Sequence, residues 1–378
     1  MPDVLIYADT FRSPELRHEL SLGIPDPFLY VERNGERHVV LTSFEIDRVL
    51  EVAGAPEPHP NEEFGYDDLI AKGLSSDEVL LEVAVNACGA LGVTEAVVPW
   101  TFPAKFADRL RESGVEVTPE LDFFEDRRRV KSEAELAGIR RAQRAAEAGM
   151  DAARELLRRA EPNGTGLVVD GEPLTSERIK VSILEAFTAR GTVADEFIVA
   201  HGPQSAVGHE MGSGPIVAGE PVVIDLWPRD IQTACYADMT RTYVVGEPSE
   251  EMVRYHALCK EALDQSLAAI RAGVQGADVF TLVCELFHEA GQPTQLSKQP
   301  GEVLENGFYH GLGHGVGLEV HEAPSLGRAP GAMVAGDVVT VEPGLYRHGW
   351  GGVRLEDLVL VTEDGAENLT EYAYDLEP

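Results

Sequence analysis

The stretch "HGLGHGVGLEVHE" (residues 310–322) sets three histidines, His310, His314 and His321, among four glycines in thirteen positions. Two familiar explanations fail. A dinucleotide-binding fingerprint requires G-x-G-x-x-G, and counting from Gly313 the sixth position is Leu318. A zinc-protease helix requires H-E-x-x-H, but His321-Glu322 is followed by Ala323, Pro324 and Ser325, and a proline there breaks the helix. The histidines therefore need partners from elsewhere in the chain.

Working outward, apolar strand-like runs on both sides deliver carboxylates. PVVIDLW (221–227) carries Asp225 and CYADMTRTYVV (235–245) carries Asp238. Side chains alternate faces along a strand, so Tyr236, Asp238, Thr240 and Thr242 share one side, and an antiparallel hairpin would bring Asp225 and Asp238 together. DVVTVEPG (337–344) adds Glu342, and GVRLEDLVLV (352–361) adds Glu356 with Arg354 on the same face. Taken singly, each acid has a bland explanation: Asp225 ends a strand, Glu342 introduces a Pro-Gly turn, Glu356 pairs with Arg354. Four carboxylates converging at one end of a sheet are too costly to bury without cations. Two divalent ions carry four positive charges and would balance them. Four carboxylates and one imidazole, His314, suit Mn2+ foremost, with Co2+, Fe2+ and Zn2+ also compatible. Such ions make water a nucleophile near neutral pH.

The set Asp225, Asp238, His314, Glu342 and Glu356, with GHGVGLEVHE, VEPG and GVRLED around the last three, resembles the dinuclear metallopeptidases of the pita-bread fold. That family includes Xaa-Pro dipeptidases (prolidases), aminopeptidase P and methionine aminopeptidases, with creatinase as a metal-free relative. The resemblance runs from about residue 127 to the end. Strands and helices that mix without regular βαβ spacing suggest an α+β fold, and the resemblance implies a C-terminal pita-bread domain (126–378) following a smaller N-terminal creatinase/prolidase-like α/β domain (1–125). It implies that Asp225 holds one metal, that Asp238 and Glu356 bridge two, that His314 is a ligand, and that Glu342 is both ligand and general base. His321 and His209 (in SAVGHEMG) match the family's catalytic histidines that contact substrate, and His310, Arg354 and Arg328 are candidates for substrate binding. The implied substrate is a small Xaa-Pro peptide and the implied assembly a homodimer.

Three departures from the family bear on specificity. Asp225 and Asp238 lie thirteen positions apart instead of the usual eleven, and two extra residues lengthen a hairpin without turning either acid to the wrong face. His201-Gly202 stands where Ser-Gly is usual, altering a pocket wall. Ser325 stands where dipeptidases often carry an arginine for the substrate carboxylate, with Arg328 nearby as a substitute.

The N-terminal part alternates short apolar runs, VLIYA (4–8), FLYVE (28–32), HVVLT (38–42) and AVVPW (96–100), with a helical segment at 77–92. GAPEPHPNEEFG (54–65) reads as a surface loop. The segment 127–160 reads as a long amphipathic helix, N-capped by Ser132 with Glu135 completing a capping box. Further helices are expected at 175–190 and at 249–272, the second capped by Ser249.

With Lys plus Arg at 31 against Asp plus Glu at 65, the formal charge of −34 argues against nucleic acid or an anionic membrane as partner. The start of the chain lacks the basic-then-apolar layout of a signal peptide. No apolar run is long enough to span a bilayer. The four cysteines form no C-x-x-C pair, and a cytoplasmic enzyme is expected. Two other readings share these residues: a metal-dependent hydrolase of a small non-peptide, such as an N-acyl amino acid or compatible solute, and a non-catalytic binding module. Intact ligands argue against the module, since a scaffold has no use for four clustered carboxylates.

Overall fold

The computed structural model describes residues 2–164 and 166–378. The chain forms two compact units, Met1–Arg128 and Arg129–Pro378. The first is a six-stranded mixed sheet in the order 57–60, 36–41, 28–33, 3–8, 95–98, 116–119. Alternation along its strands sends Leu5, Leu29 and Val31 to one face, against Val79, Val83 and Cys88 of helix Ser76–Ala90. The opposite face takes Val4, Ile6 and Tyr30 against Leu16 and Leu20. A sheet with both faces covered is a layered α/β arrangement.

Residues 54–65, expected from the sequence to form a surface loop, are not a loop throughout. Glu57–Pro60 is an edge strand, parallel to Glu36–Leu41 and followed by a 3-10 turn, Asn61–Phe64. Prolines at 58 and 60 pointed away from a strand, but an edge strand needs N–H donors only at alternate positions.

In the second unit, the capping box forms as expected: Ser132 Oγ accepts from Glu135 N, and Ser132 N donates to Glu135 Oε2 at 2.8 Å. The helix accordingly starts at Glu133 and runs to Arg158, while 127–129 belong to a separate preceding helix, Leu121–Arg129. Helices Glu133–Arg158 and Ser176–Thr188 cover the sheet of Ile198–His201, Pro221–Leu226 and Met239–Val244. Helices Glu250–Ala269 and Gly276–Glu289 cover a second group of strands that includes Val338–Val341, Gly351–Arg354 and Asp357–Val361. Both groups are antiparallel sheets with helices on one face, so the unit is α+β.

GVRLEDLVLV is not one strand. Gly351–Arg354 pairs with Gly344–Arg347, whereas Asp357–Val361 pairs with Val338–Val341, and Leu355 and Glu356 cross between the two sheets. At that crossover Glu356 N donates to Thr240 O. Beside it, the fully buried Arg241 and Asp357 pair at 2.9 Å, and Arg241 also donates to Glu356 O at 2.7 Å. Removing one partner of such a pair strands a buried charge at a cost of about 3–5 kcal/mol. Arg241 therefore fixes how the strand following Asp238 lies against the backbone of Glu356.

Candidate active site

Each of the five ligand candidates sits in a strand or next to one. Asp225 is in Pro221–Leu226, opposite Thr240 of the neighbouring strand, and Asp238 immediately precedes that strand. His314 is the centre of Gly313–Gly315, Glu342 follows Val338–Val341, and Glu356 lies at the crossover. All five line one cavity of about 350 Å³, together with His209, His321 and Arg354.

Two of the four glycines in the opening stretch are explained by this packing. A Cβ on Gly313 would lie 2.0 Å from Thr340 O, and one on Gly315 would lie 2.2 Å from Ala323 O. Only glycine lets the strand carrying His314 come this close to both neighbours. The same strand fixes the histidine, whose N–H donates to Thr340 Oγ1 at 3.1 Å. Its Nε2 lies 3.9 Å from Asp238 Oδ2 and 3.8 Å from Glu342 Oε1. The imidazole stacks edge-on against His321, with ring centres 4.2 Å apart. Glu322, the acid of the apparent His-Glu pair, lies in strand Glu322–Leu326 and is held in a buried ion pair by Lys131.

The donor set fits cations. Oδ1 of Asp225 and Oδ1 of Asp238 are buried and receive no hydrogen bond among the described residues. Asp238, His314 and Glu356 each offer a ligand atom, all within 4.8 Å of one another. Burial first, and then the neighbouring carboxylates, push the carboxyls of Asp238 and Glu356 well above the usual range. Burial and Asp225 raise Glu342 to about 7 against the opposing pull of Arg354. Without added positive charge these acids cannot all ionise together. Burial foremost, with His321 beside it, lowers His314 to about 3, so it is the neutral imidazole that a metal requires.

Arg354 does not pair with Glu356, as one simple reading had it. It is buried, bonds Asp225 Oδ2, and donates through Nε to Thr240 Oγ1 at 3.2 Å, while Thr240 in turn donates to Glu356 Oε2 at 2.6 Å. One arginine thus orients two of the candidate ligands. His310 is outside the cavity lining; its Nε2 meets Tyr346 OH at 2.9 Å, and that hydroxyl also accepts from Arg354 at 3.3 Å. Arg328 is exposed and does not line the cavity, and Ser325 is also exposed. His201 likewise forms no wall: it is buried, with Nε2 3.1 Å from Ser213 O. The remaining walls, Glu196, Met211, Trp227 and Val320, were not singled out in the sequence. Trp227, two positions after Asp225 and so on the same face, carried the one legible signal.

Residues 137–363 match the model of metallopeptidase family M24, and the chain belongs to that family. It is 32% identical over 252 residues to the Xaa-Pro dipeptidase of Pyrococcus furiosus, a match spanning 66% of this chain and 65% of that protein. It is 30% identical over 284 residues to the Xaa-Pro dipeptidase of Pyrococcus horikoshii, spanning 74% of each. The fold of the whole chain is similar to that of a solved Xaa-Pro dipeptidase from Bacillus anthracis, with a TM-score of 0.79 at 22% identity over 100% of this chain and 94% of that one. The X-Pro aminopeptidase from Thermotoga maritima gives 0.77 at 23% identity, over 99% and 97%. The expected pita-bread fold is therefore the fold of this chain.

Proposed function

We propose that this chain is a metal-dependent exopeptidase that hydrolyses the bond before proline in small peptides. The observation that carries the reading is the convergence of Asp225, Asp238, His314, Glu342 and Glu356 on one cavity that also holds His209 and His321. Asp225, Asp238, His314, Glu342 and Glu356 would hold two divalent ions, and their oxygen-rich donor set favours Mn2+. When bound, the ions supply positive charge that polarises the scissile carbonyl and makes water nucleophilic near neutral pH.

The protein's own part is acid–base work and positioning. Glu342 takes the proton of the attacking water and passes it to the leaving nitrogen. His209 and His321, exposed at the cavity rim, hydrogen-bond the peptide on either side of the scissile bond. Arg354 and Thr240 hold Asp225 and Glu356 in place. Met211, Trp227 and Val320 give the cavity an apolar side suited to a proline ring. A cytoplasmic homodimer is part of the same reading: the resemblance supports the dimer, and the four buried free cysteines suit a reducing compartment. Among the described residues no helix is long and apolar enough to cross a membrane.

The test is a substrate panel on metal-reconstituted protein, with Xaa-Pro and Xaa-Ala dipeptides, Xaa-Pro-Xaa tripeptides and N-acyl amino acids compared by kcat/KM. We expect Xaa-Pro to exceed Xaa-Ala by about 10-fold or more, since a shaped apolar pocket distinguishes groups at about 1–3 kcal/mol. Because neither Ser325 nor Arg328 offers a cation in the cavity, the preference for dipeptides over tripeptides should be shallow. Cleavage of the N-acyl amino acids with no cleavage of any proline peptide would instead assign a non-peptide hydrolase.

His321→Ala and His209→Ala should each lower kcat about 10- to 100-fold while metal content stays at the wild-type level. Loss of metal from either variant, measured by elemental analysis, would move that histidine into the ligand set.

A further inference from the structure

The N-terminal unit carries a second cluster of ligand-type side chains. His38 lies in strand Glu36–Leu41, and Glu57 and His59 lie in the parallel edge strand Glu57–Pro60, with His38 opposite Glu57 and Val40 opposite His59. His38 Nδ1 is 3.2 Å from His59 Nε2 and 3.5 Å from Glu57 Oε2. One ligand atom from each of the three falls within 4.8 Å of the others. Nitrogen and oxygen ligands of a tetrahedral zinc ion stand about 3.3 Å apart, given bonds of about 2.0–2.1 Å, so these separations suit edges of such a tetrahedron.

The orientation of His59 is a second, independent observation. Its Nδ1 lies 2.9 Å from Glu63 Oε2. An ionised carboxylate only accepts, so Nδ1 bears the proton and Nε2 presents its lone pair toward His38. Metal-ligating histidines are held by carboxylates in the same way. The two imidazole side chains are 12% and 17% exposed while Glu57 is 68% exposed, which leaves the solvent side open for water as a fourth ligand.

We propose that His38, Glu57 and His59 form a zinc site, with Glu63 orienting His59, that pins the edge strand to its neighbour. Zinc takes the lone pairs of both imidazoles and one carboxylate oxygen, and a proton on His38 Nδ1 passes through solvent to Nε2 of the same ring, so His38 binds as the neutral imidazole.

The full-length wild type and His59→Ala are equilibrated against the same zinc buffer, desalted, and assayed for zinc per chain. The wild type should retain one more zinc ion than the variant, with equal Xaa-Pro cleavage after reconstitution. Glu63→Gln, at an exposed position, should weaken binding of that extra ion about 10-fold or more. Equal zinc content in wild type and a folded His59→Ala would overturn the proposal and leave only a histidine–histidine hydrogen bond. Should His59→Ala fail to fold, Glu63→Gln decides: wild-type zinc content and unchanged affinity would overturn it equally.

Discussion

Glu342→Gln lowers kcat for Xaa-Pro cleavage by about 10²-fold or more, the low end of what a positioned general base contributes. The amide keeps the side chain's shape and can still offer an oxygen, but it cannot take the proton of the attacking water. Glu342 is placed for this task at the end of Val338–Val341, where the backbone N–H of the residue donates to Leu312 O at 2.8 Å. Its carboxylate is 3.8 Å from His314 Nε2 and faces the cavity. The substitution should lower kcat and kcat/KM together, because the lost interaction belongs to the transition state. Steady-state kinetics on metal-loaded protein, with circular dichroism as the check on folding, provides the measurement. A folded, fully metallated variant within a few-fold of wild type would assign the base elsewhere.

His314→Ala has the larger effect. It removes the one imidazole from a set otherwise composed of carboxylates, at a position within 3.9 Å of both Asp238 and Glu342. The cavity left by the ring also releases His321, which packs against it. Loss of a catalytic ion forfeits several kcal/mol of charge stabilisation, so turnover should fall at least about 10³-fold. Metal content should drop by at least one ion per chain. The small residues around the site argue that the fold survives, since Gly313 and Gly315 set the strand spacing independently of the ring.

The catalytic unit was legible because burial makes an acid in an apolar strand conspicuous. Asp225, Asp238, Glu342 and Glu356 each interrupt or end such a run, and the cavity that gathers them follows from strand alternation. Helix starts were legible where a capping residue was present, as at Ser132 and Ser249. What escaped depended on tertiary pairing. Nothing local marks Leu355-Glu356 as a crossing between two sheets, since strand-like residues, Val353 before and Leu358–Val361 after, continue the run on both sides. Arg354 reads as a partner for Glu356 by proximity in sequence, yet Asp225, distant in sequence, receives it. Helix Gly276–Glu289 was missed although Val279, Phe280, Val283, Cys284 and Phe287 repeat at helical spacing. The edge strand Glu57–Pro60 was hidden by its prolines, and with it went the juxtaposition of His38 and His59. Arg328 illustrates the converse error, in which nearness in sequence to the cavity did not bring the side chain into it.

In the proposed function, two divalent ions act together at the five-residue centre. Metal-free protein carrying His59→Ala, which silences the N-terminal cluster, is titrated with Mn2+ while Xaa-Pro cleavage is followed. Activity should rise to a plateau at two equivalents per chain. Full activity at one equivalent, or activity independent of added metal, would contradict the claim.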